Sequence, residues 1–184
     1  MAEVLLALEG VTAGYLGDID VLRNVSLTVR AGRISGLIGL NGAGKSTLMK
    51  TLCGFLRPKT GRVTLERFPV LKEKLAAQAG DLSGGQQKSL EFAKAYMVQP
   101  KVCLIDEPSI GLAPRVAAEV FQWIDAFAKS GMGILLVDHN VRRVVAMSDH
   151  IYVMSLGEIT AEGSPEDFAG DLHAQVREWL GINF

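Results

Sequence analysis

Eight consecutive residues, Gly39-Leu40-Asn41-Gly42-Ala43-Gly44-Lys45-Ser46, have the types and spacing to hold a phosphate. Glycines at 39, 42 and 44 let the backbone enter conformations that a Cβ forbids, so successive N–H groups can turn inward toward one anion. Lys45 can then reach the β- and γ-phosphates of a nucleotide, and the Ser46 hydroxyl can ligate Mg²⁺. Further along, an apolar run ends in Asp106-Glu107, two carboxylates suited to holding a metal ion and polarising a water. Between these segments lies Leu82-Ser83-Gly84-Gly85-Gln86. Its hydroxyl and glycines lead into a helix expected from Gln87 to Met97, whose first N–H groups would favour a γ-phosphate. A third apolar run ends in Asp138-His139-Asn140, where a neutral imidazole at 139 can touch a phosphate oxygen. His150 and His173 stand outside any such pattern and read as surface or satisfied residues.

These groups need strands that end together and a helix that begins where they end. Residues 33–38 suit a buried strand, and 45–56 suit a helix with Leu48, Met49, Leu52 and Phe55 as its apolar residues. The runs 102–107 and 133–137 are continuous apolar segments, as strands covered on both faces are. Ligands gather at the carboxyl ends of parallel strands, so strands ending at Gly39, Asp106 and His139 should share one edge. Pro114 opens and Gly131 closes a helix with Val116, Val120, Ile124 and Phe127 along one face, and Phe121 and Trp123 read as packing residues. Residues 4–8 and 25–29 read as strands of a separate small sheet. Residues 151–154 and 158–161 form a closing hairpin around Ser155-Leu156-Gly157, and 172–180 a short terminal helix.

Composition sets limits on this reading. At 184 residues and 19.8 kDa the chain suits one well-buried domain. Nineteen basic and 20 acidic residues leave a net charge of −1, which gives no electrostatic case for nucleic acid or an anionic membrane surface. No apolar run approaches the roughly 18 residues of a spanning helix, and Met1 to Gly10 lacks the pattern of a secretion signal. The expectation is a soluble, cytoplasmic protein. Cys53 and Cys103 show no metal or disulfide spacing and should pack as small hydrophobes.

The phosphate loop, the Leu-Ser-Gly-Gly-Gln pentapeptide and the Asp-Glu strand end, in that order, make the chain resemble the ATP-binding-cassette (ABC) ATPases from about Val4 to Gly181. The resemblance implies an α/β fold: a three-layer phosphate-loop core with a mainly parallel sheet, plus a small antiparallel β subdomain, in one nucleotide-binding domain over 1–184. It implies ATP and Mg²⁺, with Ser46 and Asp106 at the metal. Lys45, Glu107 and the switch residue His139 become the catalytic groups, and Gly39, Asn41, Gly42, Ala43, Gly44, Lys45, Ser46 and Thr47 surround the phosphates. Tyr15 matches the family's adenine-stacking aromatic. Ser83, Gly84, Gly85 and Gln86 would touch ATP held by a second ABC subunit in a head-to-tail homo- or heterodimer. Permease subunits would hold that pair at the inner face of the cell membrane, and no nucleic acid partner is expected. Within the family, residues 106–114 and 176–181 look most like the ATPase subunits of branched-chain amino acid importers.

One stretch departs from the family pattern. Residues 48–81 are all that separates Thr47 from Leu82, where the family carries a core strand, a glutamine-bearing loop and a mostly helical subdomain. Gly61 to Glu66 resembles the strand after the first helix, and Arg67 to Leu75 the last helix before the signature. Gln78 stands too close to the signature to replace the missing glutamine. The helical subdomain is therefore largely missing, with a junction near Glu66 and Arg67, whose Cα atoms lie about 3.8 Å apart if the bond is genuine. Three readings stay open: an ATP-hydrolysing transport subunit, a shortened module that binds ATP with little or uncoupled hydrolysis, and a non-transport ABC protein, against which the length speaks.

Overall fold

The computed structural model describes residues 2–15, 19–65 and 100–168. In chain order these hold β1 (Val4–Ala13), β2 (Leu22–Arg30), β3 (Ile34–Ile38), α1 (Lys45–Leu52), β4 (Thr60–Leu65), β5 (Val102–Asp106), α2 (Pro114–Lys129), β6 (Gly133–Val137), α3 (Val141–Met147), β7 (His150–Ser155) and β8 (Glu158–Gly163), then a 3₁₀ turn at Pro165–Phe168. The pentapeptide at 82–86, the helices expected at 67–75, 87–97 and 172–180, Gln78, His173 and the Glu66–Arg67 bond lie outside the described residues.

A five-stranded sheet runs in the order β5-β6-β3-β7-β8, with the first four strands parallel and β8 antiparallel to β7. β3 and β6 are buried at every position, the signature of strands covered on both faces. Their side chains alternate between the two covers. On one face Ile34, Ile105, Ile134 and Leu136 pack against Val120, Phe121, Ile124 and Phe127 of α2, and Ile38, Ile151 and Val153 against Val144 and Val145 of α3. On the other, Leu37, Leu135, Val137, Tyr152 and Met154 meet Leu48, Met49 and Leu52 of α1 together with residues of β1 and β2. A second, antiparallel sheet in the order β2-β1-β4 thus closes the same side as α1. The result is the three-layer α/β arrangement with its small antiparallel sheet.

The local differences from the sequence reading have physical causes. α1 stops at Leu52 rather than continuing to Leu56, because Gly54 takes a left-handed φ of 76°. The Gly54 N–H donates to the Thr51 carbonyl at 3.1 Å and the Phe55 N–H to the Lys50 carbonyl at 2.9 Å, the paired bonds of a glycine C-cap. Phe55 therefore leaves the helix and stands 84% exposed, and Cys53 is exposed at the cap rather than packed. Cys103 on β5 is half-buried, and burial pushes its thiol up to about 11. α3 was not legible in the sequence; its start is marked by Asn140, whose side chain accepts the Arg143 N–H at 3.2 Å.

Candidate nucleotide site

The phosphate loop joins the fully buried β3 to the N-terminus of α1. Gly42 and Gly44 adopt φ of 84° and 107°, and Gly44 caps α1 without a side-chain acceptor or an acidic residue in the first turn. The first N–H groups of the helix are thereby left without the usual capping oxygen. Lys45 is buried, and its ammonium donates to the carbonyls of Gly39 at 2.7 Å and Leu40 at 2.9 Å. Burial pushes its pKa down, while the charges of Glu107 and Asp106 oppose that shift. The loop is tied from behind by the β7–β8 turn: the Gly157 N–H donates to the Ala43 carbonyl at 2.9 Å, and the Gly157 carbonyl accepts the Arg23 N–H at 2.8 Å. Gly157 has a φ of 87°, and a Cβ there would lie 1.9 Å from the Val21 carbonyl oxygen, so only glycine fits.

Strand pairing aligns the other groups with this loop. Leu37 pairs with Val137, and Val137 pairs with Asp106, so the ends of β3, β6 and β5 are level. Burial, then the neighbouring charge of Glu107, raises the pKa of Asp106, and Lys45 pulls it back. Glu107 holds a left-handed φ of 45°, a conformation that costs a non-glycine residue about 1–3 kcal/mol. Its N–H donates to the Val137 carbonyl at 2.8 Å. Asp138, next in line after Val137, accepts the Ser109 hydroxyl on Oδ2 at 2.7 Å and the Asn140 N–H on Oδ1 at 2.8 Å. His139 is exposed, with Nδ1 3.7 Å from Asp138 Oδ1.

Tyr15, after β1, is 54% exposed, and its hydroxyl lies 3.3 Å from the Thr47 hydroxyl of α1. The Lys50 ammonium sits 5.1 Å from the ring centroid. The Thr47 hydrogen bond, and after it Lys50, lowers the Tyr15 pKa. Thr47 itself is buried.

Asp106 therefore ends β5, Glu107, Asp138 and His139 follow in the turns leaving the same edge of the sheet, and Lys45, Ser46 and Thr47 belong to the helix that starts there. Uncapped N–H groups behind two left-handed glycines, with a lysine among them, fit a phosphate chain. The exposed Ser46 hydroxyl and the Asp106 carboxylate are hard oxygen donors of the kind Mg²⁺ takes. Among the described residues there is no group of three or more His, Cys, Asp or Glu that could hold a metal ion. The sequence reading missed Asp138 and Ser109, whose bond spans 29 positions. The signal that could have found them is an acidic residue at a core strand's end, facing the turn of its neighbour.

Fold and edge together define a phosphate-loop nucleotide-binding α/β domain. Comparison with known proteins takes this further: the ABC transporter family profile matches residues 22–76 and 64–110, two segments that meet at 64–76. The high-affinity branched-chain amino acid transport ATP-binding protein BraG of Pseudomonas aeruginosa is 31% identical over 202 residues, covering 79% of this chain and 87% of the relative. The lipopolysaccharide export system ATP-binding protein LptB of Escherichia coli K12 is 27% identical over 223 residues, covering 89% and 92%. A solved nucleotide-free ATP-binding cassette from an ABC transporter superposes with a TM-score of 0.81 at 26% identity, covering 98% of this chain and 100% of that one. The chain belongs to the ABC transporter family, as an ATP-binding domain. Because 79% of 184 residues is about 145, about 57 of the 202 positions aligned with BraG have no residue of this chain opposite them.

Proposed function

We propose that the chain, as one nucleotide-binding domain over 1–184, binds and hydrolyses Mg-ATP as the energising subunit of an importer for branched-chain or other amino acids. The observation that carries the reading is the convergence of Lys45, Asp106, Glu107 and His139 on one sheet edge. Gly39, Asn41, Gly42, Ala43 and Gly44 wrap the phosphates with backbone N–H groups, Lys45 exchanges its two carbonyl partners for phosphate oxygens, and Ser46 with Asp106 holds Mg²⁺. Mg²⁺, when bound, offsets the charge on the β- and γ-phosphates. Glu107 orients the attacking water and accepts its proton; His139 hydrogen-bonds the γ-phosphate. Tyr15 stacks on the base.

Ser83, Gly84, Gly85 and Gln86 would complete the site of a second ABC subunit, homo- or heterodimeric, with permease subunits fixing the pair to the inner face of the membrane. Among the described residues no helix is long and apolar enough to cross a membrane. The amino-acid reading draws on BraG and on the 106–114 match, whereas LptB is named for lipopolysaccharide export, so cargo is the finer part of the proposal. The roughly 57 unmatched positions favour a second reading, in which this chain hydrolyses ATP weakly and without coupling to transport. Lys45→Ala should abolish ATP binding in an equilibrium titration. Glu107→Gln should keep binding and slow single-turnover hydrolysis by about a thousandfold, a loss of roughly 4 kcal/mol of transition-state stabilisation. Full turnover in Glu107→Gln would refute the assigned role.

A further inference from the structure

Asp138 is the only buried carboxylate among the described residues, 1% exposed. A charge so placed is destabilising unless hydrogen bonds replace its water. Both oxygens are satisfied, and by different turns. Oδ2 accepts the hydroxyl of Ser109, in the turn after β5 that begins with Glu107; Oδ1 accepts the N–H of Asn140, in the turn after β6 that carries His139. The Asp138–Asn140 bond closes a side-chain turn around His139 and fixes the backbone from which that imidazole projects. The Ser109 bond acts on the other turn. Glu107 holds a left-handed backbone that relaxes unless its surroundings over-determine it. It is pinned on one side by its N–H to the Val137 carbonyl, one residue before Asp138, and on the other by Ser109, two residues on.

We propose that Asp138 is a positioning residue whose carboxylate bridges the Glu107 turn to the His139 turn, so that the two groups keep one relative placement and move as a unit. The inference rests on the roles proposed above for Glu107 and His139. It accounts for a carboxylate in a buried place whose two hydrogen-bond donors, a hydroxyl and a backbone N–H, are neutral. A carboxylate can accept on two oxygens at once, which a hydroxyl or a methyl at this position could not do for both turns.

The test uses the full 184-residue chain with Ser109→Ala, Asp138→Ala, the double variant and Asp138→Asn. Single-turnover ATP hydrolysis should fall about tenfold in each single variant and no further in the double, while the Kd for a fluorescent ATP analogue stays within about twofold. Asp138→Asn can still accept from Asn140 and can donate to the Ser109 oxygen, so it should recover to within about threefold of the parent. A double variant near a hundredfold down, or an Asn variant as slow as the Ala variant, would overturn the bridge. Amide hydrogen exchange supplies a readout that needs no turnover: Ser109→Ala should speed exchange at the Asn140 N–H at least tenfold, although the two residues lie in different turns. Unchanged exchange overturns the proposal. A parent chain that shows no hydrolysis above Lys45→Ala counts against the hydrolytic reading alone, and exchange then decides the bridge by itself.

Discussion

Tyr15 is held from two directions by residues of α1, its hydroxyl by Thr47 and its ring by the Lys50 ammonium. A cation over an aromatic face occupies that face, leaving the opposite one for a purine. Tyr15→Ala should therefore weaken ATP binding about tenfold, the equivalent of roughly 1.4 kcal/mol of stacking, while Tyr15→Phe, which keeps the ring, should stay within about threefold. Equal losses in the two variants, read by titration, would assign the effect to the hydroxyl. Lys45 and Asp106 stand out in the sequence because the phosphate and metal roles proposed for them dictate residue types within a local motif. Asp138 could not, since its partner is set by the β5–β6 register, and nothing in the local pattern reveals that Ser109 will stand opposite.

Among the elements, strands were more legible than helix ends. A strand buried on both faces is written as an unbroken apolar run, and β3, β5 and β6 fall within a residue or two of those runs. The apolar pattern of α1 continues past Leu52 to Phe55, but Gly54 decides where the helix stops. The two turn glycines allow a graded test. At Gly54 a Cβ meets nothing within 4 Å, so Gly54→Ala carries only the left-handed backbone penalty of about 1–2 kcal/mol. At Gly157 the same conformation is combined with a backbone oxygen 1.9 Å away, so Gly157→Ala should cost at least about 3 kcal/mol and also loosen the bond to Ala43 in the phosphate loop. Thermal unfolding should show the difference, at roughly 2–4 °C per kcal/mol for a chain of this size. Nucleotide affinity should drop for Gly157→Ala only.

For the whole molecule, the sheet order groups the elements of the candidate site. β5, β6 and β3, which carry the Asp-Glu pair, the Asp138-His139 turn and the phosphate loop, are consecutive neighbours. Among the described residues β5 is one of the two outermost strands of that sheet, with β8 at the other side, and edge strands invite pairing with other chains. β4 belongs to the other sheet, paired with β1. β4 and β5, the strands on either side of the connection, therefore belong to different sheets. That makes the connection a natural exchange point. Inserting the BraG residues that have no counterpart here, at a junction between Glu66 and Arg67, should leave the ATP Kd within about threefold and raise hydrolysis at least tenfold. An insert that destroys nucleotide binding would show that the two halves are not separable parts. With the graft tolerated, the chain becomes a chassis in which coupling modules from different relatives can be swapped against one constant engine.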